Sequence, residues 1–401
     1  MTEPTRPGPL VEPLAELSAE AAGRARRQIS LPGFGDLAQR RLAAARVLVI
    51  GAGGLGCAAV PYLAGAGVGR IGIIDDDVVE LSNLHRQVAH GAADVGRAKV
   101  DSLAETVHAM DPAIVIDRHR LRLTSENALE LFGGYDLVID GSDNFPTRYL
   151  ANDAAQLTRT PLVWGAILQY SGQVGVAWHA EGPGYRDLFP TPPEPGSVMN
   201  CAEGGVLPGL CGTVGSLLAT EALKLITGIG EPLIGRVLLY DALTARTREL
   251  RVNRDPSAEA VTALVDYELL CGIAPSSNTA RTDGEAARLT AIDGPTLAAG
   301  IRDGVERVLI DVRSAPEREE RRIRGSEWVP VENIEAGEVS LPGPVTLYCE
   351  KDPRSVRAAL ALQRQGSVEV EYLRGGIDGF ARLAPELIER GPDGAAPGRK
   401  R

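Results

Sequence analysis

The sequence predicts an α/β protein of two domains, each built on a sheet covered by helices. Strand-like and helix-like runs alternate from residue 46 to residue 140, which is typical of a parallel sheet whose crossover connections are helices. A second alternation begins after residue 290. Between the two, residues 254–290 lose hydrophobic periodicity and gather Ser, Thr, Asp and Gly, as linkers do.

The chain length leaves room for more than one hydrophobic core. The 401 residues correspond to two or three domains at roughly 100–200 residues each. The predicted organisation is a disordered N-terminus at 1–19, a large domain at 20–253, a linker at 254–290, a small domain at 291–390 and a flexible tail at 391–401.

The large domain opens with a strand, a glycine turn and a helix in succession. The strand is the β-branched run Arg46–Ile50, the turn spans Gly51–Gly56, and the helix extends to about Ala66. A second strand, Arg70–Asp75, completes a βαβ unit. The alternation continues with a helix near 98–110, a strand near 114–120, a helix near 125–132 and a strand at 136–140.

From residue 161 the pattern changes to strands with few helices between them. The predicted elements are strands at 161–167 and 173–178, a helix at about 213–227, and a hairpin that pairs 236–241 with 246–252. The Pro- and Gly-rich loop at 180–208 is long, and such loops inside compact domains are more often functional than idle. The linker is expected to dock one segment, around 267–271.

The small domain is expected to be an open α/β fold. Its predicted elements are strands at 308–312, 344–349 and 368–373, a helix near 354–365, and a short helix after Gly375 and Gly376.

Composition excludes several classes of protein. Forty-two Lys and Arg against 53 Asp and Glu give a net charge of −11, which argues against non-specific nucleic-acid binding. The N-terminus lacks a signal-peptide pattern and no run approaches the roughly 18 apolar residues of a membrane span, so a cytoplasmic protein without membrane contact is expected. The five cysteines form no C-x-x-C pair and therefore predict neither a disulfide framework nor a thiolate zinc site.

The glycine turn predicts a nucleotide site. Gly51, Gly53 and Gly56 satisfy G-x-G-x-x-G, in which backbone N–H groups approach a phosphate at the start of a helix. Asp75 ends the next strand, where a carboxylate could take the hydroxyls of a ribose. A nicotinamide-dependent dehydrogenase fits these two features equally well, and a turn that merely allows close helix–strand packing is the simpler alternative.

The residues after Asp75 distinguish a nicotinamide site from other kinds of nucleotide site. Over residues 20–253 the chain resembles the ubiquitin-like-protein-activating (E1-like) superfamily, in particular the adenylyltransferases of molybdopterin and thiamine biosynthesis. The segments that carry the resemblance are Arg27-Gln-Ile, GAGGLG at 51–56, the strand-end Asp75, SNLHRQ at 82–87, GRAKV at 96–100 and DGSDN at 140–144.

The resemblance implies a Rossmann-like mixed sheet with helices on both faces, and ATP with Mg²⁺ in place of a nicotinamide. It places Gly53 and Gly54 under the phosphates and Asp75 on the ribose, with Lys99 nearest the α-phosphate. It assigns Mg²⁺ to Asp143. The remaining residues that it implies for the nucleotide site are Gly51, Gly56, Ser82, Asn83, Arg86, Gln87 and Asn144.

The chemistry of adenylation agrees with these residue types. Attack of a carboxylate on the α-phosphate accumulates negative charge that fixed cations and a metal can stabilise, so Arg86 and Lys99 are candidate catalytic residues. In the family the carboxylate is the C-terminal Gly-Gly end of a small ubiquitin-like sulfur-carrier protein. The resemblance also implies a homodimer in which Arg27 comes from the neighbouring subunit, although a solvated basic helix end would look the same.

Two features of the large domain concern cysteine chemistry, and both involve the Pro- and Gly-rich loop at 180–208, called the crossover loop below. Cys201 lies in this loop, where a thiol could attack an activated acyl group, and it matches the family's active-site cysteine; a structural loop cysteine is an equal alternative. Many relatives hold zinc with two C-x-x-C pairs, but this chain has Gly184–Asp187 and Pro256–Glu259 at those places. We therefore expect no zinc site. Cys57 and Cys211 are expected to be packing residues.

The small domain resembles rhodanese in Leu309–Arg313, Ile323–Ser326, the loop after Cys349, and Leu373–Phe380. Cys349 ends a strand and precedes a helix N-terminus, which can stabilise a thiolate, and the resemblance implies that it carries a persulfide. Asp352 stands where relatives usually have Gly, and Pro353 removes one N–H donor. The acidic loop makes thiosulfate a doubtful donor and favours a protein persulfide.

Together these expectations describe one enzyme that carries out two steps. ATP would activate the carrier's carboxylate, and sulfur from Cys349 would displace AMP to leave a thiocarboxylate, with or without a step at Cys201. The alternatives are adenylation alone with an inactive rhodanese-like docking domain, a nicotinamide-dependent oxidoreductase, which lacks a partnered histidine acid or base, and a scaffold that binds a ubiquitin-like fold without turnover. The pathway stays open between molybdopterin, thiamine, cysteine and a specialised product.

Overall fold

The computed structural model describes residues 7–193, 204–258, 261–271, 289–305, 307–337, 339, 341, 344–350, 352–365 and 370–391. The chain divides into two compact units, Met1–Pro275 and Ser276–Arg401, and the division falls inside the predicted linker. Each unit is built on its own sheet, so the predicted α/β class with two sheets is confirmed.

One half of the large unit's eight-stranded sheet is parallel. Its strands are β1 (Arg46–Ile50), β2 (Arg70–Ile74), β3 (Val115–His119), β4 (Leu137–Asp140) and β5 (Leu162–Leu168). They lie in the order β3-β2-β1-β4-β5. Because β1 has β2 on one side and β4 on the other, the crossovers leave a crevice at its carboxyl end.

The other half of the sheet is antiparallel. Strands β6 (Ser171–Ala177), β7 (Arg236–Asp241) and β8 (Arg246–Arg251) follow β5 in sequence order. Pairing of β7 with β8 confirms the predicted hairpin. The tight turn from β5 to β6 holds Gln169 at a φ of 53°, a left-handed conformation that is uncommon for a residue with a side chain.

Helices cover both faces of this sheet, as expected for a Rossmann-like fold. Two apolar clusters lie on the two faces; Val47 and Val49 belong to one, and Leu48 and Ile50 belong to the other. The helices of the large unit are α1 (Ala19–Arg24), α2 (Arg26–Ile29), α3 (Gly35–Ala44), α4 (Gly54–Gly65), α5 (Lys99–Met110), α6 (Ala128–Gly133), α7 (Phe145–Thr158), α8 (Pro208–Thr227) and α9 (Tyr267–Leu270).

Three details of the large unit differ from the sequence-based predictions. Helix α7 was not predicted, although Asn144 caps it by accepting a hydrogen bond from the Thr147 amide at 3.0 Å. Helix α8 begins five residues earlier than predicted, at Pro208. Residues 7–18 were predicted to be disordered, but hydrogen bonds hold them against the large unit. The Leu10 amide donates to Leu225 O at 3.1 Å, and the Arg40 guanidinium donates to carbonyls of this segment.

Helix α8 is the one helix of the described residues that is long and apolar enough to cross a membrane. It is a core helix, because 56% of its apolar window is buried inside the domain. A Cβ added to Gly215 would lie 2.5 Å from the Cβ of Ala58 on α4, so the two helices pack in close contact. The predicted docking of the linker is also confirmed, since Tyr267 and Cys271 at α9 are buried in the large unit's core.

The small unit has a five-stranded parallel sheet in the order β12-β10-β13-β14-β9. These strands are β9 (Thr290–Ile292), β10 (Val308–Asp311), β12 (Glu327–Trp328), β13 (Val345–Tyr348) and β14 (Val370–Leu373). Two short strands, β11 (Arg322–Ile323) and β15 (Ile388–Glu389), pair separately. The helices are α10 (Gly294–Arg302), α11 (Ala315–Glu320), α12 (Val331–Glu335), α13 (Pro353–Arg364) and α14 (Gly376–Leu383).

Candidate functional site

The glycine turn lies at the carboxyl end of β1 and leads into α4. Gly51 has a φ of 92° and donates its amide to Ile74 O at 2.8 Å. A Cβ on Gly56 would lie 1.9 Å from Gly51 O, so only glycine fits there. No side chain caps α4 at Gly53, which leaves the first N–H groups of the helix available to an anion.

Asp75 braces this turn from the end of β2. Its Oδ2 accepts from the Ala52 amide and its Oδ1 accepts from the Asp77 amide, both at 2.8 Å. Burial raises the pKa of Asp75, and the nearby Lys99 ammonium opposes this shift. The carboxylate therefore organises the loop itself, and only its remaining lone pairs are available to a ribose.

Lys99 is the first residue of α5 and is 6% exposed. Its Nζ donates to Asp77 Oδ2 at 2.8 Å. Burial alone would lower the pKa of Lys99, but attraction by Asp75, Asp77 and Asp143 outweighs it, so the pKa lies above its usual value. The structure thus brings a charged lysine together with three carboxylates at the carboxyl edge of the sheet.

The segment from residue 82 to residue 87 forms a tight turn against the glycine loop. Ser82 and Asn83 stabilise the turn, since their side chains bond the Glu80 carboxylate and the Glu80 amide. The stem of Arg86 packs beside Gly54, where an added Cβ would be 3.8 Å from its Cγ. Arg86 donates to Ser82 O at 3.1 Å and has no carboxylate partner in the described part of the chain.

Gln87 is the other side chain of this segment that faces the loop. It is 3% exposed, and its Oε1 has no hydrogen-bond partner among the described residues. A Cβ on Gly53 would lie 3.7 Å from its Nε2. An unpartnered buried amide oxygen beside the glycine turn is a feature that a donor on a bound ligand would satisfy.

The tip of β4 supplies the acidic side of the site. Asp140 is buried and accepts from the Ser142 amide at 2.9 Å, while Arg148 donates to Ser142 O at 2.9 Å. Asp143 is exposed and makes no hydrogen bond or ion pair with any described residue. Asn144 uses its side-chain oxygen to cap α7, so its first role is structural.

Arg27 lies at the opposite edge of the sheet. Its neighbour Gln28 donates to Ala66 O at 3.1 Å, at the far end of α4 from Gly54. Twelve helical residues span about 18 Å, so the Arg27 side chain lies beyond reach of its own chain's glycine turn. Arg27 is exposed and has no hydrogen-bond or ion-pair partner among the described residues.

A network of hydrogen bonds lies where many relatives have the two C-x-x-C pairs. We call it the polar clasp, and its side chains are Asp153, Arg186, Asp187 and Tyr267. Asp187 Oδ2 accepts from the Gly184 amide and its Oδ1 accepts from the Asp255 amide, both at 2.7 Å. Arg186 donates to both oxygens of Asp153 on α7 at 2.7 Å, and the Tyr267 hydroxyl donates to the same carboxylate at 2.7 Å. Protein hydrogen bonds thus order the segment that the sequence leaves without metal ligands.

Cys201 lies outside the described residues. The chain after it returns to the sheet beside Gln169, whose amide donates to Gly205 O at 2.9 Å and whose carbonyl accepts from Leu207 at 3.0 Å. Gln169 follows β5, which is parallel to β4, so the loop re-enters at the same edge as the glycine turn.

Cys349 follows β13 in the small unit and is 1% exposed. Its Sγ lies 3.5 Å from the Ser355 hydroxyl near the start of α13. Asp352 ties the loop to the next turn, because its Oδ1 accepts from the Gly375 amide at 2.7 Å. Burial raises the pKa of Asp352, and the hydrogen bond from the Gly375 amide opposes this shift.

The other charges around this cysteine are already paired. Glu350 accepts from Arg313 at 2.9 Å and also from Arg321. Arg354, in the first turn of α13, donates to both oxygens of Glu317 at 2.8 and 2.6 Å. Neither Glu350 nor Arg354 therefore presents a free charge to the sulfur.

Sequence reasoning missed His90 and Ser142. His90 lies against Cys57 and the Ala52 carbonyl, beneath the glycine turn, and Ser142 has a buried hydroxyl without a partner among the described residues. No motif marks His90, whereas Ser142 lies within the DGSDN segment at 140–144. Ser142 could have been found from its place at the tip of β4, next to Asp143.

Comparison with known proteins agrees with this geometry. Residues 25–260 match the ThiF family. The chain belongs to the ThiF family. Residues 295–383 match the Rhodanese-like domain, so both parts of the predicted resemblance are confirmed.

Two curated relatives of this ThiF-family chain match different lengths of it. It is 46% identical over 389 residues to "Probable adenylyltransferase/sulfurtransferase MoeZ" of Mycobacterium tuberculosis, covering 95% of this chain and 98% of the relative. It is 51% identical over 265 residues to "Sulfur carrier protein adenylyltransferase" of Thermus thermophilus, covering 63% of this chain and 98% of the relative.

A solved structure, E. coli MccB with MccA-N7isoASN, superposes with a TM-score of 0.55 at 19% identity. It covers 62% of this chain and 75% of that chain, and it supports the fold alone. With the match to MoeZ, which spans nearly the whole of both chains, the findings identify this ThiF-family protein as an enzyme of the adenylyltransferase/sulfurtransferase class. They favour adenylation over the nicotinamide-dependent alternative.

Proposed function

We propose that the large domain uses ATP to adenylate the C-terminal Gly-Gly carboxylate of a small ubiquitin-like sulfur-carrier protein, and that the rhodanese-like domain supplies the sulfur. One observation carries the first half. A glycine turn that tolerates no Cβ at Gly56 and a buried charged Lys99 meet at one edge of the sheet with Arg86 and Asp143, neither of which has an ion-pair partner among the described residues.

The residues present fit a nucleoside triphosphate. The uncapped start of α4 offers N–H groups to phosphate oxygens, and Gln87 has a buried oxygen in need of a donor. Gly51, Gly53 and Gly54 would lie under the phosphates, and Asp75 would face the ribose while it holds Ala52. Lys99 would exchange Asp77 for a phosphate oxygen, since it is charged and close to the loop.

The adenylation step forms one bond and breaks another. A carboxylate oxygen of the carrier attacks the α-phosphorus of ATP, and pyrophosphate leaves with the electron pair of the broken P–O bond. Arg86 and Lys99 would stabilise the charge that develops on these oxygens. Asp143 would hold Mg²⁺, which neutralises phosphate charge when bound, because its carboxylate is exposed and unpaired among the described residues.

Sulfur transfer follows in the proposal. The terminal sulfur of a persulfide on Cys349 attacks the acyl carbon, AMP leaves, and an acyl disulfide joins the carrier to Cys349. A thiol, for which we propose Cys201, then attacks the Cys349 sulfur and the thiocarboxylate leaves. The disulfide that remains between the two cysteines is opened by an external thiol reductant.

The partners follow from the same chemistry. A protein persulfide would reload Cys349, and a homodimer would supply Arg27 to the phosphate site. The curated Thermus relative is named for a sulfur carrier, which supports a small protein substrate. Persulfide and thiol chemistry needs a reducing compartment, so we place the enzyme in the cytoplasm.

Two measurements on the full chain test this function. Purified ubiquitin-like proteins ending in Gly-Gly are incubated with ATP, Mg²⁺ and a persulfide donor, and intact mass is expected to show one oxygen replaced by one sulfur. ATP–pyrophosphate exchange should fall about 10²–10³-fold in Asp143→Ala and Lys99→Ala and stay unchanged in the exposed control Asp303→Ala. Exchange that is unaffected by both site variants contradicts the proposed site.

The burial of Cys349 favours one second candidate, adenylation with a rhodanese-like domain that only docks partners. Cys349→Ser separates the two. Under our proposal this variant keeps ATP–pyrophosphate exchange and forms no thiocarboxylate. Thiocarboxylate formation at the wild-type rate by Cys349→Ser would assign the domain to docking.

A further inference from the structure

Hydrogen bonds hold the backbone of Ala52, the second residue of the glycine turn, at both its N–H and its carbonyl. Its N–H donates to Asp75 Oδ2 at 2.8 Å. Its carbonyl oxygen points into the protein, where the Cys57 thiol donates to it at 3.2 Å and His90 Nε2 lies 3.1 Å away. A carbonyl held inside the protein cannot turn towards a phosphate, so this arrangement keeps the turn's N–H groups available to an anion.

The hydrogen bonds of His90 define which ring nitrogen carries the proton. His90 is 6% exposed, and its Nδ1 lies 2.8 Å from the Ser102 hydroxyl at the start of α5. The Ala52 carbonyl can only accept, so Nε2 must carry hydrogen and Nδ1 is free to accept from Ser102. A neutral imidazole therefore satisfies both contacts at once.

The surroundings of His90 on balance lower its pKa. Burial lowers the pKa of His90 and the Lys99 ammonium lowers it further, whereas Asp94 and Asp75 oppose them. Burial also raises the pKa of Cys57 to about 12, so its sulfur stays a thiol and a hydrogen-bond donor. The pair is thus unsuited to nucleophilic catalysis in spite of the 3.3 Å between Cys57 Sγ and His90 Nε2.

We propose that His90 is a positioning residue of the nucleotide site, which acts through the Ala52 carbonyl and has its tautomer fixed by Ser102. The inference rests on the proposed function in that the glycine turn is taken to bind phosphate. It assigns a role to a side chain that touches neither the nucleotide nor the reacting atoms. Residues that orient the ligands of a metal site typically contribute about 10–100-fold to its affinity, and we expect an effect of the same size for a residue that orients a phosphate-binding turn.

Three variants of the full chain isolate this role. His90→Phe keeps a ring of similar size and removes the donor, His90→Gln restores a donor to Ala52, and His108→Phe is the matched control on an exposed histidine of α5. We expect His90→Phe to raise the Kd for ATP about 10–100-fold and His90→Gln to recover most of the affinity. His108→Phe should leave the Kd unchanged.

Hydrogen exchange without nucleotide gives a readout that is independent of activity. Faster exchange confined to amides 52–56 in His90→Phe supports the proposal, and Ser102→Ala provides a milder version of the same test if the Phe variant fails to fold. Equal loop exchange and equal Kd in wild type and His90→Phe overturn it, as does faster exchange throughout the domain with no recovery in His90→Gln. Nitrogen-15 shifts that show an imidazolium at pH 7 also overturn it.

The ATP-binding measurement also distinguishes a failure of the proposed function from a failure of the proposed role of His90. Wild-type protein that binds no ATP would contradict the proposed function, whatever the variants do. Wild-type protein that binds ATP while His90→Phe binds it equally well would contradict only the role of His90.

Discussion

At the scale of single residues, the glycines of the turn differ in how closely an added Cβ would approach neighbouring atoms. A Cβ at Gly56 would lie 1.9 Å from Gly51 O, which is backbone and cannot yield without moving the turn. A Cβ at Gly53 would meet only Gln87 Nε2 at 3.7 Å, an ordinary contact. The sequence motif marks both glycines alike, whereas the structure separates a position where the fold requires glycine from one where the fold itself would accept a Cβ.

Gly56→Ala and Gly53→Ala therefore form a matched pair. We expect Gly56→Ala to lower the free energy of unfolding by about 1–3 kcal/mol, because the added methyl group overpacks the turn. Gly53→Ala should leave stability nearly unchanged and weaken ATP binding alone. Thermal unfolding of the full chain and ATP titration measure the two effects, and equal melting temperatures for the two variants would contradict this interpretation.

At the scale of elements, the crossover segment is held by a polar clasp that joins α7, the turn at 184–187 and α9. Asp153 is the centre of this clasp, since its 3%-exposed carboxylate accepts from Arg186 and Tyr267. The sequence predicted that no zinc orders this region and that packing or the dimer interface orders it instead. It could not show the clasp, because Asp153 lies on the one helix of this region that was not predicted and its partners are distant in sequence.

Asp153→Ala should be strongly destabilising. Removal of the carboxylate leaves the partly buried Arg186 guanidinium unpaired, at a cost of about 3–5 kcal/mol. Tyr267→Phe removes a single hydrogen bond and should cost about 1 kcal/mol. Glu249→Ala is the control, because its ion pair with Arg236 is more exposed and should contribute less than about 1 kcal/mol.

Thermal unfolding with and without a metal chelator completes this test. The melting temperature of the wild type should be the same in both conditions, because the clasp consists of side chains and backbone alone. A chelator that lowers the melting temperature as much as Asp153→Ala does would show that a metal orders the segment.

At the scale of the whole molecule, the position of Arg27 bears on assembly. It lies at the far end of α4 from the phosphate turn of its own chain, with an exposed guanidinium. Under the proposed function the phosphate site is complete only when a second copy supplies this arginine. The linker in turn would raise the local concentration of the Cys349 persulfide around the acyl adenylate.

Complementation between two inactive variants tests the shared site. Arg27→Ala and Asp143→Ala should each lower ATP–pyrophosphate exchange by at least about 10²-fold. After the two are mixed in equal amounts and allowed to exchange subunits, half of the dimers are mixed and each has one intact site, so about one quarter of the wild-type rate should return. A mixture that stays inactive although mixed dimers have formed would place Arg27 outside the site.

The sequence by itself determined the two α/β domains, the order of the strands along the chain, and the glycine turn with Asp75, Arg86, Lys99 and Asp143 around it. Apolar periodicity indicates the domains and the strands, and the resemblance to the E1-like superfamily implies which residues surround the turn. Only the tertiary structure showed that Asp143 and Arg86 lack ion-pair partners among the described residues, that Arg354 is bound to Glu317, and that His90 holds Ala52. Pairing and burial depend on residues far apart in the chain, and local pattern does not encode them.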